Sequence, residues 1–464
     1  MTNWRPDLGE HSGPRYLAIA EALAQDVAQG RLAPGDRLPT HRDLAWHLGV
    51  TVGTVTRAYG EAERRGLIAG EVGRGTFVRE QLPSAPPAFQ ELGSEDGLID
   101  LSYNFPALAS DHALFGEELV GMAQDPQLNR HLGYFLGPGR ASHRAAAADW
   151  LKHAGLEVPP EEVVVTCGAQ HAMFLAAAAL TRPGEVILTE ALTYYGIKSI
   201  AEALERQLHG VALDDQGLVP DSLEAAIRSS GARVLYCIPT LQNPTTTVLP
   251  EARRRRIVEI CRRHDVTIIE DDIYSFLLEE PVTPLSALAP ERSFYATSLS
   301  KCVAPGLRIG FLRAPLAFHD RIATALRAST LMPSGFMAEL ASRLIRNGKA
   351  KRAADAKRAE ARARQRLARE ILPAGHLVAH PGCFHAWLTL PRPWRHEDFT
   401  AEARRQGVVV GSARVFAVGR QPVPHAVRLC LHAATGRSQL KSGLETLAQI
   451  LREPPADAGA PALV

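Results

Sequence analysis

Long apolar runs, paired cysteines and an excess of one charge are all missing from this sequence, and each absence narrows what the protein can be. The longest apolar run, Ala172 to Leu180, is about half as long as a bilayer-spanning helix requires. Residues 1–13 carry charges and prolines without the apolar stretch of a signal peptide. The six cysteines form no CxxC pair and stand near no histidine cluster with zinc spacing. We therefore expect a cytoplasmic protein with reduced thiols, no membrane segment and no metal site.

Net charge gives no indication of a nucleic-acid partner. The chain of 464 residues has a formal net charge of +2, and residues 1–80 contain ten Lys and Arg against ten Asp and Glu. If this segment binds DNA, its basic groups must be gathered on one face. The length exceeds that of one hydrophobic core and predicts about two to four domains.

Composition divides the chain into four segments. Residues 10–79 are dense in short helical patterns, whereas residues 80–97 contain three prolines and little apolar periodicity, which is typical of a linker. In residues 98–452, apolar strand-like runs alternate with helical stretches, and residues 453–464 form a tail that we expect to be disordered. The alternation predicts an α/β domain with a largely parallel sheet covered by helices. The predicted strands are Val163–Thr166, Glu185–Leu188, Val234–Ile238, Val266–Ile269 and Phe294–Thr297.

The first segment has the plan of a winged helix-turn-helix, mostly α with a β-wing. Apolar residues at helical spacing predict a helix over Tyr16–Gln29, and Thr40 can cap a second helix, His41–Leu48. Thr51 can cap a third helix that runs to about Arg65. Two short strands, around Leu67 and Thr76, then alternate between glycines as in a hairpin.

In such a domain the third helix enters the major groove with its first side chains foremost, and the hairpin reaches the minor groove or the phosphates. The residues of the third helix that we predict to face DNA are Thr51, Val52, Gly53, Thr54, Thr56 and Arg57. At the hairpin tip, Gly73 and Arg74 are predicted to contact DNA. The alternative is a helical dimerisation module with no role in DNA binding.

The segment GDRLPTHRDLAWHLGVTVGTVTRAYGEAERRGLIAGEVGRGTFV resembles the GntR-type winged helix over about 60 residues. The resemblance implies that Arg37 and Arg42 contact phosphates or bases, and we place Thr40 in the same DNA-binding set. Val52 departs from the pattern, because many relatives carry an arginine there that can read a guanine edge. The departure predicts a different operator or weaker direct readout.

The stretch TSLSKCVAPGLRIGFL, residues 297–312, indicates a covalent cofactor site. Lys301 follows an apparent strand and sits in a short polar loop, as a lysine that forms a Schiff base requires. Arg308 and the hydroxyls of Ser298 and Ser300 suit a phosphate-bearing aldehyde, because a guanidinium can pair with a phosphate through two hydrogen bonds.

Three further motifs support a phosphate-bearing cofactor. In IIEDDIYSF a strand ends in acids, and a carboxylate in that position can pair with a pyridinium nitrogen. In PTLQNPTTTVLP, Asn243 follows a strand and precedes a proline turn. In VVVTCGAQHAMF a strand runs through Gly168, Ala169 and Gln170 into a helix, whose first backbone N–H groups can hold a phosphate.

The order and spacing of these motifs resemble fold-type I enzymes of the class I aminotransferase group, which use pyridoxal 5′-phosphate (PLP). The resemblance implies that Lys301 carries the Schiff base and that Asp271 pairs with the pyridine nitrogen. It further implies that Asn243 and Tyr274 contact the ring oxygen and that Tyr194 contacts the ring face. The residues implied to contact the phosphate are Gly168, Ala169, Gln170, Ser298, Ser300 and Arg308. Tyr134 would contact the phosphate of a neighbouring subunit, and Arg428 would contact a substrate carboxylate. Leu192 and His143 depart from the family pattern. The departure at Leu192 leaves open whether Tyr194 or Tyr195 stacks on the ring.

Together the two halves resemble the MocR subgroup of GntR regulators. The resemblance implies a homodimer that binds a double-stranded DNA operator and senses PLP itself, an amine or an amino acid through aldimine chemistry on Lys301. We expect the C-terminal domain to act as a sensor without physiological turnover, although residual transaminase activity is possible. The competing hypothesis is a working aminotransferase that acts on an amino acid and a 2-oxo acid.

Two basic segments have no role in this scheme. Residues 343–369 hold eleven Lys and Arg against two Asp and Glu and predict one long helix. Its basic face could be solvated or could touch DNA flanks. The run from Arg253 to Arg256 predicts a coated or capped helix rather than a site.

Overall fold

The computed structural model describes residues 4–6, 14–28, 31–32, 35–64, 67–71, 75–78, 97–104, 111–419 and 422–453. The chain divides into two compact units, Met1–Glu91 and Leu92–Val464. Gly73, Arg74, most of the predicted linker and the tail after Glu453 lie outside the described residues. No helix in the described part of the chain is long and apolar enough to cross a membrane.

The first unit is three helices and a hairpin, as predicted. Its elements are α1 (Arg15–Ala28), α2 (His41–Leu48), α3 (Val52–Arg64), β1 (Ile68–Glu71) and β2 (Gly75–Val78). Thr40 caps α2, since its Oγ1 accepts a hydrogen bond from the backbone N–H of Asp43 at 3.2 Å. Gly49 ends α2 in the left-handed region, with φ 61°, where glycine meets no Cβ strain. Buried Ile19, Leu23 and Val55 pack the helices together.

The second unit contains the remaining elements. Its helices are α4 (Asp111–Ala123), α5 (Leu128–Leu132), α6 (Ala141–Leu151), α7 (Ala169–Leu180), α8 (Tyr195–Ala203), α9 (Pro220–Ser230), α10 (Glu251–Arg263), α11 (Leu285–Leu288), α12 (His319–Thr330), α13 (Gly335–Arg346), α14 (Lys349–Ile371), α15 (His396–Arg405), α16 (Ala413–Phe416) and α17 (Arg437–Arg452). Its strands are β3 (Ile99–Asp100), β4 (Val163–Thr166), β5 (Val186–Glu190), β6 (Gln207–Val211), β7 (Leu213–Asp214), β8 (Gly217–Leu218), β9 (Val234–Cys237), β10 (Thr267–Asp271), β11 (Ser293–Ser298), β12 (Gly310–Arg313), β13 (Leu377–Val378), β14 (His385–Thr389), β15 (Val408–Val409), β16 (Gly411–Ser412) and β17 (Ala426–Cys430).

A seven-stranded sheet forms the centre of this unit, in the order β4-β12-β11-β10-β9-β5-β6. Only β12 runs antiparallel to its neighbours in this sheet, so the prediction of a largely parallel sheet is confirmed. Alternate residues of one strand enter different cores: Val164 packs with α7 and α12, whereas Val163 and Val165 pack with α6 and α13. Burial on both faces explains why the strands are continuous apolar runs.

A smaller subdomain is built on the antiparallel sheet β13-β14-β17-β16, packed against α14, α15 and α17. The prediction of one helix over residues 343–369 is wrong, because α13 and α14 are separate helices. They are divided at Asn347 and Gly348, the latter in the left-handed region with φ 69°. Several cations of this segment also point inward: Lys357 is fully buried and donates to Val303 O, and Arg364 donates to Leu431 O at 2.8 Å.

Arg254 also differs from the expectation of a helix-coating arginine run. Its side chain is fully buried, and its Nη2 donates to Pro239 O at 2.7 Å and to Thr240 Oγ1 at 2.9 Å. Its Nε donates to Leu249 O at 2.9 Å. These bonds fasten both ends of the loop after β9, and a buried charge of this kind is tolerated because its hydrogen bonds are satisfied.

Candidate functional site

The predicted cofactor residues meet at one edge of the seven-stranded sheet. Gly168 follows β4, Tyr194 follows β5, and Asn243 lies in the loop after β9. Asp271 is the last residue of β10, and Lys301 comes soon after β11 ends. All five strands are parallel, so their carboxyl ends share the edge where α/β sheets bind ligands.

Asp271 is a buried carboxylate with one oxygen satisfied and one free. Its Oδ2 accepts a hydrogen bond from the hydroxyl of Tyr236 at 2.7 Å. Its Oδ1 is buried and has no hydrogen-bond partner among the described residues. Burial raises the pKa of this carboxyl to about 7. A cationic ring N–H placed against Oδ1 would restore the ionised form and satisfy the free oxygen.

Lys301 lies at the same edge of the sheet, with its amine on a backbone acceptor. Its Nζ donates to the carbonyl oxygen of Asn104 at 2.5 Å. Burial lowers the pKa of this amine to about 8, and the guanidinium groups of Arg428 and Arg308 act in the same direction. An amine with this pKa has a neutral fraction near pH 7 roughly 300-fold larger than an ordinary lysine, which suits a nucleophile.

The predicted phosphate residues converge on the start of α7. Gly168 precedes the helix with φ 95°, and a Cβ there would lie 2.8 Å from Nη2 of Arg308, so only glycine admits this approach. Arg308 Nη2 donates to Cys167 O at 3.0 Å. Ser300 donates its backbone N–H to Ser298 Oγ at 2.9 Å, and the two hydroxyls are 2.7 Å apart. Ala169 and Gln170, as the first residues of α7, contribute its N-terminal backbone amides to this cradle.

Arg428 and Asn243 form a direct pair. Arg428 is buried and donates from Nη1 to Asn243 Oδ1 at 2.8 Å and from Nη2 to Ser102 O at 2.6 Å. Its Nε has no partner in the part of the chain that the structure describes. The hydroxyl of Tyr274 accepts a hydrogen bond from Asn104 Nδ2 at 3.0 Å. The residues assigned to the ring oxygen and to a carboxylate therefore share one network.

The two predicted tyrosines differ in their surroundings. Tyr194 is partly buried with its ring 4.7 Å from that of Tyr195, and burial raises the pKa of its hydroxyl. Tyr134 lies after α5 and is 81% exposed. An exposed position is what a residue that reaches into another subunit requires, and the roles of both tyrosines stay predictions.

In the first unit, the predicted DNA-facing residues lie at the start of α3 and on α2. Val52, Thr56, Arg57 and Arg42 are exposed, and Gly53 is exposed beside them. Several threonine hydroxyls of this surface already make hydrogen bonds within the unit. The internal bonds are Thr51 Oγ1 with Thr54 Oγ1 at 2.9 Å, Thr56 Oγ1 to Val52 O at 3.0 Å, and Thr40 Oγ1 to Asp43 Oδ2 at 2.7 Å. Arg37 lies against the wing, where a Cβ on Gly75 would stand 2.8 Å from its Nε.

Sequence reasoning missed several residues that support the site. Glu190 ends β5 and accepts from Ile238 N–H at 2.6 Å and from Thr193 Oγ1 at 2.9 Å, so it ties two loops of the edge together. Tyr236 and Asn104 hold Asp271 and Tyr274. Glu190 could have been found, because a carboxylate directly after an apolar strand repeats the pattern of Asp271. Asn104 carried no such signal, since its loop precedes the sheet.

Comparison with known proteins agrees with this geometry. Residues 15–78 match the gntR family of bacterial regulatory proteins, and residues 97–447 match aminotransferase class I and II. An uncharacterized HTH-type transcriptional regulator of Bacillus subtilis, YdeF, is 30% identical over 97% of this chain and 97% of its own. The HTH-type pyridoxine biosynthesis transcriptional regulator PdxR of Corynebacterium glutamicum is 29% identical over 81% of this chain and 83% of its own. A kynurenine aminotransferase of Pyrococcus horikoshii, solved in complex with PMP, superposes with a TM-score of 0.71 at 25% identity, over 77% of this chain and 91% of its own.

Proposed function

Since this chain belongs to the aminotransferase class I and II family and carries the regulatory domain of the gntR family, the combination found in the MocR subgroup, we propose that it is a transcription regulator that senses a small molecule through PLP. The observation that carries the proposal is the occurrence, in one chain, of an exposed helix-turn-helix surface and a buried lysine site. DNA operators in bacteria lie in the cytoplasm, which is the proposed site of action.

The DNA-binding half of the proposal rests on the first unit. The start of α3 is small, polar and exposed, and Arg42 and Arg57 are exposed near it. Small side chains allow a helix to approach base edges closely, while arginines neutralise phosphates. Because Val52 offers no donor to a guanine edge, we propose that DNA shape and phosphate contacts contribute more than direct readout at this position.

The residues of the second unit fit PLP. Asp271 Oδ1, which has no partner among the described residues, could accept a hydrogen bond from a ring N–H. Gly168, before α7, leaves space beside Arg308 for a phosphate, and the lowered pKa of Lys301 makes its amine a better nucleophile. When bound, PLP supplies an aldehyde that condenses with primary amines and a ring that withdraws electrons. In this assignment Asp271 keeps the ring nitrogen protonated, the hydroxyl of Tyr236 orients Asp271, and Arg308 with Ser298 holds the phosphate.

The sensing step depends on Lys301 and Arg428. With PLP in the site, Lys301 would hold the aldehyde until an incoming primary amine took its place, and the released lysine amine could then accept or donate a proton. A carboxylate on that amine would meet Arg428, whose Nε has no partner among the described residues and whose Nη1 must exchange Asn243 Oδ1 for the new anion. The exchange would rearrange the loop after β9, and this difference between bound and free states is what an effector needs in order to shift a conformational equilibrium.

We also propose that the regulator is a homodimer through the second unit. Five exposed apolar side chains lie within α4, α5 and the following loop: Leu119, Val120, Leu132, Tyr134 and Leu136. Exposed apolar side chains that are concentrated in one stretch of the chain favour an interface there, and we call these five residues the apolar patch. A second copy fits it best, since Tyr134 is the residue that the resemblance places against the phosphate of a neighbouring subunit. Two winged helices in one dimer would then read two half-sites of an operator.

A catalytic aminotransferase remains the second candidate, because Asp271, Lys301, Arg308 and Arg428 are all in place. The same residues serve both readings, since exchange of one amine for another needs them as much as transamination does. The gntR-family domain and the regulator relatives favour the first candidate.

The test begins with an absorbance titration of the PLP-loaded protein with amino acids and small amines. The compound that shifts the spectrum is then added to a DNA-binding assay with an operator selected from random duplexes. The proposal predicts a change in affinity or in half-site spacing together with less than one equivalent of 2-oxo acid formed. Rapid multiple turnover, with no effect on DNA binding, would establish the aminotransferase instead.

A further inference from the structure

Three helices bring a second cluster of ligating side chains together, outside the residues assigned to PLP or DNA. His131 lies on α5, His143 in the first turn of α6 and Glu339 on α13. One ligand atom of each, two imidazole nitrogens and one carboxylate oxygen, lies within 4.8 Å of the others. The sequence predicts no metal site, because its cysteines form no CxxC pair and stand near no histidine cluster with zinc spacing.

Each histidine of this cluster has one buried ring nitrogen without a hydrogen-bond partner among the described residues. His143 is 3% exposed, and its Nε2 has no hydrogen-bond partner among the described residues. That atom is 3.3 Å from Glu339 Oε2, yet the two are not aligned as donor and acceptor. Nδ1 of His131 is likewise buried without a partner in the described part of the chain. Buried unpaired nitrogens need an explanation, and an ion placed between them and the carboxylate would satisfy both.

Two local features of the fold hold these side chains in place. A Cβ on Gly335, the first residue of α13, would stand 2.7 Å from the carbonyl oxygen of His131, so glycine is what lets α5 approach the helix that carries Glu339. Oε1 of Glu339 accepts from Arg343 Nε at 2.9 Å and from Arg346 Nη2 at 3.0 Å. These bonds turn Oε2 toward the histidines and reduce the negative charge of the carboxylate.

We propose that His131, His143 and Glu339 bind a divalent transition-metal ion of the zinc class, with a fourth coordination position left to water. Two imidazoles and one carboxylate are a ligand set that zinc uses, whereas Ca²⁺ and Mg²⁺ prefer sites made of oxygen. The ion would fasten α5, α6 and α13 to one another directly before the loop that carries Tyr134. Binding of the ion would therefore set the position of the apolar patch proposed to meet a second subunit.

The test uses the full-length protein, stripped with a chelator and titrated with Zn²⁺ against a chromogenic competitor. We expect one site per chain in the wild type, weakened at least tenfold in His143→Leu and in Glu339→Gln. His209→Gln, which removes an exposed histidine on β6, is the matched control and should bind as the wild type does.

Co²⁺ provides a second measurement, because its visible bands report coordination by nitrogen and the number of ligands. The bands should form in the wild type and in His209→Gln and be lost in His143→Leu. If Glu339→Gln fails to fold because Arg343 and Arg346 lose their partner, His143→Leu decides the question alone. Absence of a site in the wild type, or binding that is equal in His143→Leu, overturns the proposal.

Discussion

The two units of this protein place their functional residues in opposite ways. In the first unit most of the predicted contact residues that the structure describes are exposed, and they lie on α2 and α3 or next to them in the chain. In the second unit most of them are buried or half-buried, and most follow the ends of five strands that are distant in sequence. A surface that reads DNA needs side chains in solvent, whereas a site that holds a reactive aldehyde needs burial to change pKa values. Substitutions in the two units should therefore differ in kind as well as in size.

The largest effect is expected from Lys301→Ala, which removes the lysine assigned to the Schiff base. PLP should no longer form a covalent adduct that borohydride can reduce, while the first unit stays folded and DNA affinity without effector persists. Mass spectrometry after reduction measures the adduct, with the surface variant Lys351→Ala as control. An adduct in Lys301→Ala at the wild-type level would show that another amine is the reactive one.

The next effect is a pH dependence that belongs to the buried site alone. The pKa of Lys301 is lowered to about 8 by burial, and only the neutral amine attacks an aldehyde. The rate of PLP capture by the apoprotein should therefore rise roughly tenfold from pH 6 to pH 7 and level off above about pH 8. Stopped-flow absorbance measures the rate. A rate that keeps rising tenfold per unit to pH 10 would mean that the amine has an ordinary pKa and is not desolvated.

A smaller effect is expected at the exposed surface. Arg42→Ala should weaken DNA binding by a similar factor for every sequence and reduce the slope of log K against log salt by about one, as the loss of one phosphate contact does. Fluorescence anisotropy at several salt concentrations measures the slope. Arg64→Ala, at the far end of α3 and paired with Glu61, is the control. An unchanged slope in Arg42→Ala would exclude a phosphate contact at this position.

The smallest effect concerns Thr40, which is both an N-cap and a predicted DNA contact. Thr40→Ala removes the acceptor for Asp43 N–H and should cost about 1 kcal/mol in the stability of the first unit. Thr40→Ser keeps the acceptor and should restore thermal stability. If Thr40→Ser is stable but binds DNA as weakly as Thr40→Ala, the methyl group contacts DNA; if it binds like the wild type, the cap accounts for the whole effect.

The predictions from sequence succeeded where the physical signal is local. The helix His41–Leu48 was placed correctly because its cap, its apolar spacing and Gly49 are adjacent in the chain. The strands of the parallel sheet were found because burial on both faces makes them apolar runs bounded by turns. The helix over residues 343–369 was wrong because a high alanine and arginine content conceals the break at Gly348.

Burial of charge could not be read from composition. Arg254 and Lys357 look like surface residues in the sequence, yet each is buried and donates hydrogen bonds to carbonyl oxygens of other elements. The same applies to the His131, His143 and Glu339 cluster, whose members are brought together only when α5, α6 and α13 pack. Long-range acceptors and ligands have no signature in the neighbouring sequence.

The sequence by itself determined the two-part organisation, the winged helix and the α/β fold, because turn chemistry and periodicity are local properties of the chain. The order of its motifs carried the resemblance that implies PLP as the cofactor. Only the tertiary structure decided that Asp271 has one free oxygen, that Lys301 rests on Asn104, and that Arg428 is held by Asn243. The physical reason is that pKa values, unsatisfied atoms and ligand geometry depend on distances between residues that folding alone brings into contact.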